Sequence, residues 1–305
     1  MAPLPEQLNT RDGLALHLRH WLAGAPPVAA LGAALGAAPG AAPGGVLIVH
    51  GLGEHIGRYE HVAAQLQSWG WPVFGYDQRG HGRSEGPRGG IAHDDDLLHD
   101  LAAVIDAVRA AQPGRLVLLG HSMGGLVAAR FAAAGPGDGR WVRAVDALVL
   151  SSPALDAGMS LTQKLLLATL GRVAPGLTLG NGLRPLWISR DPRVVRAYVA
   201  DPLVHDRITP RLARFIVDGA KVVAERAAHW AVPTLLLYAG ADRCVLPAGS
   251  AGFAAAAPQA KVAAHEFRAL YHEIFNEPER AEVFGVLREW LQALAQDDAP
   301  PQVAR

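Results

Sequence analysis

Apolar positions along this chain follow two different periods. Unbroken apolar runs occur at Val46-Leu47-Ile48-Val49, Val73-Phe74-Gly75-Tyr76, Leu116-Val117-Leu118-Leu119, Ala147-Leu148-Val149-Leu150 and Thr234-Leu235-Leu236-Leu237-Tyr238. Runs this short, with no polar alternation, predict strands buried on both faces. Between them the period lengthens to that of a helix. Over 94–111, Leu97, Leu101, Val104, Ile105 and Val108 share one helical face. Residues 59–69 predict a second helix, stopped by Gly70 and Pro72. Pro278 opens a last amphipathic helix, a position where proline fits the first turn. That helix carries Val283, Phe284, Leu287, Trp290, Leu291 and Leu294. Further strands are expected over 14–21 and 261–267.

Strands alternating with helices predict an α/β fold built on a mostly parallel, doubly wound sheet. From Ser152 to about Trp230 the alternation lapses into helical patches, prolines and arginine-rich turns. We read 153–230 as a helical cap inserted into a core made of 1–152 and 231–296, and 297–305 as a disordered tail. Residues 24–45 are only Gly, Ala, Pro, Val and Leu, interrupted by Pro26, Pro27, Pro39 and Pro43. That composition reads as a low-complexity surface loop rather than a membrane span.

The stretch with the clearest chemistry is Gly120-His121-Ser122-Met123-Gly124. An apolar strand leads into it and an Ala-rich helical segment follows. Strand, sharp turn and helix are the context of a nucleophile elbow, which lifts a serine hydroxyl clear of the sheet. A serine nucleophile needs a base and a carboxylate to orient that base. In such a fold these follow in the order serine, acid, histidine, beyond the carboxyl ends of strands. Asp242 lies just past the 234–238 run, and His272 follows the last strand, whereas His265 lies within it. The expected triad is therefore Ser122, Asp242 and His272. Backbone N–H groups of Met123 and Leu52 are the expected oxyanion donors, with Gly51 and Gly53 letting the second loop bend close.

The bulk numbers narrow the partners. Lys+Arg and Asp+Glu are both 28, so a basic nucleic-acid-binding surface is not expected. Cys244 is the single cysteine, which fits a reducing compartment. The first six residues lack the basic and apolar regions of a signal peptide, so a cytoplasmic location is expected. His93-Asp94-Asp95-Asp96 with His99 and Asp100 has the composition of a metal cluster, but acidic residues at a helix start also complement its dipole. Neither metal nor cofactor is expected for the chemistry. Asp77 and Arg79 are read as braces for a loop beside the site. Ser151 and Ser152 are strand-end serines that could touch substrate.

With those residues in place, the chain resembles the monoacylglycerol lipase and lysophospholipase branch of the α/β-hydrolase superfamily. The matching stretches are His50-Gly51-Leu52-Gly53-Glu54-His55 with Arg58-Tyr59, the run from Tyr76 through Gly86, Gly120 through Gly125, Asp201-Pro202-Leu203-Val204, and His272 through Glu277. The resemblance implies an eight-stranded sheet, a mobile helical cap, no cofactor, the same triad, and hydrolysis of single-chain lipid esters. It makes Gly51, Glu54 and His121 expected substrate contacts. Leu166 and Leu170 join them from a run, 161–170, richer in leucine than one buried stripe needs. That run lines an acyl channel, touches a lipid surface, or simply packs on the core. Within this reading a monoacylglycerol lipase stands first. The alternatives are a lysophospholipase, a broad esterase, an acyltransferase and, from another class, a non-catalytic ligand receptor. The oligomeric state is not legible.

Overall fold

The structure, a computed structural model, describes residues 4–21, 44–135 and 137–296. Most of the 24–45 loop and the 297–305 tail lie outside the described residues. The strands are β1 (Gln7–Asn9), β2 (Ala15–Trp21), β3 (Gly45–Val49), β4 (Val73–Tyr76), β5 (Leu116–His121), β6 (Ala147–Ser151), β7 (Leu179–Gly180), β8 (Arg207–Ile208), β9 (Thr234–Ala239) and β10 (Val262–Phe267). Eight of them form one sheet in the order β1-β2-β4-β3-β5-β6-β9-β10. From β4 to β10 every pairing is parallel, and β2 is antiparallel to both of its neighbours.

The uniform apolar strands divide their residues between two cores. Leu47, Val49, Leu118, Leu148, Leu150 and Leu236 face one side, while Val46, Ile48, Val117, Val149, Leu235 and Leu237 face the other. On the first side lie α2 (Asp96–Ala111), α3 (Met123–Ala132), α6 (Pro210–Arg226) and α7 (Pro247–Ala256), and on the second α1 (Glu60–Ser68) and α8 (Arg280–Gln296). With both faces covered, polar alternation has no place in these strands. The buried residues of α8 are the six named from its periodicity. No helix among the described residues is long and apolar enough to cross a membrane.

The insertion between β6 and β9 holds α4 (Leu161–Val173), α5 (Pro192–Ala200) and the two-residue antiparallel ribbon β7–β8. Its last helix, α6, buries Leu212, Phe215, Ile216 and Val223 in the same core cluster as Leu126 and Phe131 of α3. By packing, α6 belongs to the layer over the sheet, although it falls within the 153–230 stretch. The ribbon is short and largely exposed, so the stretch contributes no buried strand among the described residues.

Candidate active site

The Gly120–Gly124 turn follows from three close approaches. A Cβ at Gly120 would sit 2.5 Å from the Gly124 carbonyl oxygen, and one at Gly124 only 2.1 Å from that of Val49 and 2.3 Å from that of His50. Only glycine lets α3 start this close to β3 and β5. Between the two glycines, Ser122 takes φ 53° and ψ −119°, a region that non-glycine residues seldom occupy. Its N–H donates to the Ser151 carbonyl at 3.0 Å and its carbonyl accepts from Leu126 and Ala154. These bonds hold the strain in place.

Strands β5, β9 and β10 deliver the three expected triad residues to one point. His272 Nε2 lies 2.8 Å from Ser122 Oγ, and His272 Nδ1 lies 2.6 Å from Asp242 Oδ2. The other Asp242 oxygen accepts the N–H groups of Cys244 and Val245 at 2.8 and 3.1 Å. Asp242 thus acts as acceptor to its own turn and to the ring. The Nδ1–H then points at the carboxylate, leaving Nε2 free to accept from the hydroxyl. Burial disfavours a charged His272. The Asp242 carboxylate, its hydrogen bond, and Glu273 and Glu54 outweigh this and raise the ring's pKa above the ordinary 6.5.

The loop after β3 is fixed from several sides. Gln78 donates its backbone N–H to His50 Nε2 at 2.9 Å and its side-chain amide to the His50 carbonyl at 2.6 Å. The proton of that ring therefore sits on Nδ1, 2.8 Å from the Gly51 carbonyl. The Gly51 N–H is taken up by Glu54 Oε1 at 2.6 Å. Among the described residues, the N–H groups of Leu52 and Met123 have no acceptor within the protein. A Cβ at Gly51 would meet Glu54, Ser122 and His121, so this glycine is packed directly against the nucleophile.

Glu54 and His121 stand beside the serine. His121 bonds Ser151 Oγ at 3.1 Å and packs on the His272 ring at 4.7 Å between centroids. Burial, helped by neighbouring His272, lowers its pKa to about 4 and keeps it neutral. Glu54 is buried, which by itself would raise its pKa. Arg58, His121, His50 and the Tyr59 hydroxyl more than offset this and bring it to about 2.

A cleft of about 390 Å³ opens over Ser122, lined by Gly51, Leu52, Glu54, His121, Cys244, His272 and Glu273 below and by insertion residues above. Those include Asn181, Leu183, Pro185, Ile188, Tyr198, Val199, Val204 and His205. Leu166 and Leu170 are not among the lining residues: α4 leaves Leu166 58% exposed and buries Leu167 instead. Leu170 is partly buried on the same side as Leu167, and neither Leu166 nor Leu170 reaches the cleft. Ser151 and Ser152 are buried behind the elbow and do not line the cleft.

The insertion is tied to both catalytic loops. His205 donates its N–H to the Gly53 carbonyl at 2.8 Å, and Asp201 pairs with His55 at 2.8 Å. Glu273 donates its N–H to the Ile188 carbonyl at 2.8 Å, while buried Glu277 accepts from Ser189, Arg190 and Tyr271. Sequence reasoning did not find His205, Tyr198 or Ile188. The one nearby signal was the Asp201-Pro202-Leu203-Val204 match just before His205.

The acidic cluster near His93 is spoken for. Buried Arg79 pairs with Asp12, Asp96 and Asp100, and Arg11 pairs with Asp95 and Asp96. Asp77 braces as expected, accepting the N–H groups of Ile56 and Arg83, each at 2.8 Å. Arg79 instead ties the chain's start to α2.

Comparison with known proteins places this geometry. The family described as serine aminopeptidase, S33 (Hydrolase_4) matches residues 40–279. A monoacylglycerol lipase of Mycolicibacterium smegmatis is 35% identical over 81% of this chain and 87% of its own length. A phospholipase of Bacillus subtilis is 32% identical over 80% of this chain and 93% of its own length. The crystal structure of a Paleococcus ferrophilus monoacylglycerol lipase superposes with a TM-score of 0.72 at 36% identity, covering 81% of this chain and 93% of that one. The chain belongs to the serine aminopeptidase S33 family and is a serine hydrolase of the α/β-hydrolase superfamily.

Proposed function

We propose that this enzyme hydrolyses single-chain lipid esters, monoacylglycerols first among them, through an acyl-enzyme on Ser122. The observation that carries the reading is the continuous chain Ser122 Oγ, His272 Nε2, His272 Nδ1, Asp242 Oδ2 at the base of the cleft. His272 takes the hydroxyl proton as Ser122 attacks the ester carbonyl. Asp242 orients the ring and stabilises the imidazolium. The unpartnered Leu52 and Met123 N–H groups receive the oxyanion. His272 then protonates the leaving alcohol and draws a proton from the water that frees the fatty acid. No metal or cofactor enters these steps.

The apolar walls Leu183, Pro185, Ile188, Val199 and Val204 suit an acyl chain. Each methylene they bury is worth about 0.8 kcal/mol. Glu54, His121 and Glu273 give the cleft a polar side that suits a hydroxyl-bearing head group. The similar lipases support glycerol esters, and the similar phospholipase keeps a lysophospholipid as the second substrate class. An aminopeptidase would need a carboxylate to take the substrate ammonium. Glu54 and Glu273 are engaged by Arg58, Asp201 by His55 and Asp206 by Arg207.

The cap in this reading is the part of the insertion before α6. It exposes Leu161, Leu165, Leu166 and Val173, and we assign to that face a transient contact with lipid surfaces. The expected location is the cytoplasm, peripheral at membranes.

The test is turnover of monoacylglycerols, lysophosphatidylcholine and p-nitrophenyl esters, with a fluorophosphonate as label. Wild type is labelled once and prefers the monoacylglycerol. Labelling that survives Ser122→Ala sinks the nucleophile, and preference for the lysophospholipid sinks the first substrate.

A further inference from the structure

Beneath the cleft, one arginine holds two carboxylates from opposite ends of the chain. Arg58 Nη1 donates to Glu54 Oε2 at 2.5 Å and to Glu273 Oε1 at 2.7 Å, and its Nη2 donates to Glu273 Oε2 at 2.8 Å. The side chains are nearly closed to solvent, at 11% for Arg58, 5% for Glu54 and 7% for Glu273. Each carboxylate has a second task. Glu54 accepts the Gly51 N–H and the Tyr59 hydroxyl at 2.6 and 2.7 Å. Glu273 adjoins His272, accepts from the Asn276 amide at 2.8 Å and donates its own N–H to Ile188.

Two anions this buried repel unless a cation separates them, and a planar guanidinium can bond both in fixed directions. We propose that Arg58 is a positioning residue that sets the oxyanion loop and the general-base loop in one register: through Glu54 it fixes the Gly51–Leu52 backbone, and through Glu273 it fixes His272. The inference rests on the hydrolase reading above. Occupation of the Gly51 N–H by Glu54 is what leaves Leu52 as the free donor of that loop. Tyr198 of the insertion lies over the Arg58 guanidinium at 4.7 Å and lines the cleft. The register is therefore closed on the substrate side by a cap residue. Glu54 and Glu273 also add to the field that keeps His272 easier to protonate.

A double-mutant cycle tests this. Glu54→Gln, Glu273→Gln and the pair are compared with wild type on p-nitrophenyl butyrate, with kcat normalised to sites titrated by a fluorophosphonate. That normalisation counts competent enzyme only, so partial unfolding does not imitate a loss. Each single change is expected to lower kcat about tenfold with KM little altered, as for a misplaced reacting group. Because both act through Arg58, the pair should lose little more than the worse single variant. Glu273→Gln should also move the acid limb of kcat/KM to lower pH, which loss of packing alone would not do. Losses that multiply in the pair, or losses confined to KM, overturn the proposal, as does an unmoved acid limb. A failure of the hydrolase reading registers separately, as absent turnover in the wild-type arm.

Discussion

Gly124→Ala adds one carbon to the enzyme at a place with no room for it. That carbon would lie 2.1 Å from the Val49 carbonyl oxygen, about 1.3 Å short of the 3.4 Å at which ordinary contact begins. The obstacle is backbone on both sides, so no side chain can turn away. Either α3 or the end of β3 must shift by about an ångström. The first carries Ser122 and Met123, and the second carries Leu52. The strain of forcing a methyl into such a site is about 1–3 kcal/mol, several degrees in Tm. The catalytic penalty is of similar size, since an ångström of misplacement lowers turnover by about 100-fold, equivalent to about 2.7 kcal/mol. Gly252→Ala in α7 is the matched control. It is also helical, but an added Cβ there meets nothing within 4 Å. It should stabilise by about 0.5–1 kcal/mol and leave kcat unchanged. Melting curves and kcat on p-nitrophenyl butyrate separate the two. A Gly124→Ala enzyme with wild-type kcat would refute the argument that this glycine sets the distance between nucleophile and oxyanion loop.

The raised His272 pKa places the acid limb of kcat/KM above pH 6.5, because only the neutral ring can accept the serine proton; a limb at or below 6.5 would contradict the coupling to Asp242. For stability the sign is opposite: the His272–Asp242 attraction is fully present below the unfolded value near 6.5 and is lost as pH rises through the higher folded value, so the Tm difference between wild type and Asp242→Asn should shrink on going from pH 6 to pH 9. Ser122 sits at φ 53°, so Ser122→Gly should melt above Ser122→Ala by about 1 kcal/mol or more of relieved strain, both being inactive; equal melting temperatures would count against strain at the elbow. Leu166 and Leu170 lie off the cleft, so changing both to Ser should spare monomeric C2 and C12 esters and lower activity on micelles, whereas a selective loss on monomeric C12 would return the pair to the acyl route.

The core strands were legible because burial on both faces leaves an unbroken apolar signature. β1 was not, being a three-residue polar edge. α7 was missed because Pro-Ala-Gly-Ser-Ala-Gly-Phe-Ala-Ala-Ala is small on every side and carries no amphipathic stripe. In the 161–170 run there is leucine on too many faces for periodicity to choose, and Leu167 takes the buried position. The grouping of Ser122, Asp242 and His272 was legible from strand ends and chain order. The Arg58 arrangement was not, because Glu54 and Glu273 look like ordinary surface charges until a partner 215 positions away comes into contact.

The bonds from residues 188–209 of the insertion to Gly53, His55, Glu273 and Glu277 have a mechanical consequence. This stretch is a collar bolted to the catalytic loops. Swinging it outward would pull on the backbone that carries Leu52 and on the turn that carries His272, and so would dismantle the machinery it uncovers. α4 is attached differently: its neighbour is α6, and it makes none of those bonds. Movement of α4, which contributes no residue to the lining of the cleft, leaves the reacting groups where they are. The collar and the reaction centre are thus held as one unit, and α4 stands outside it.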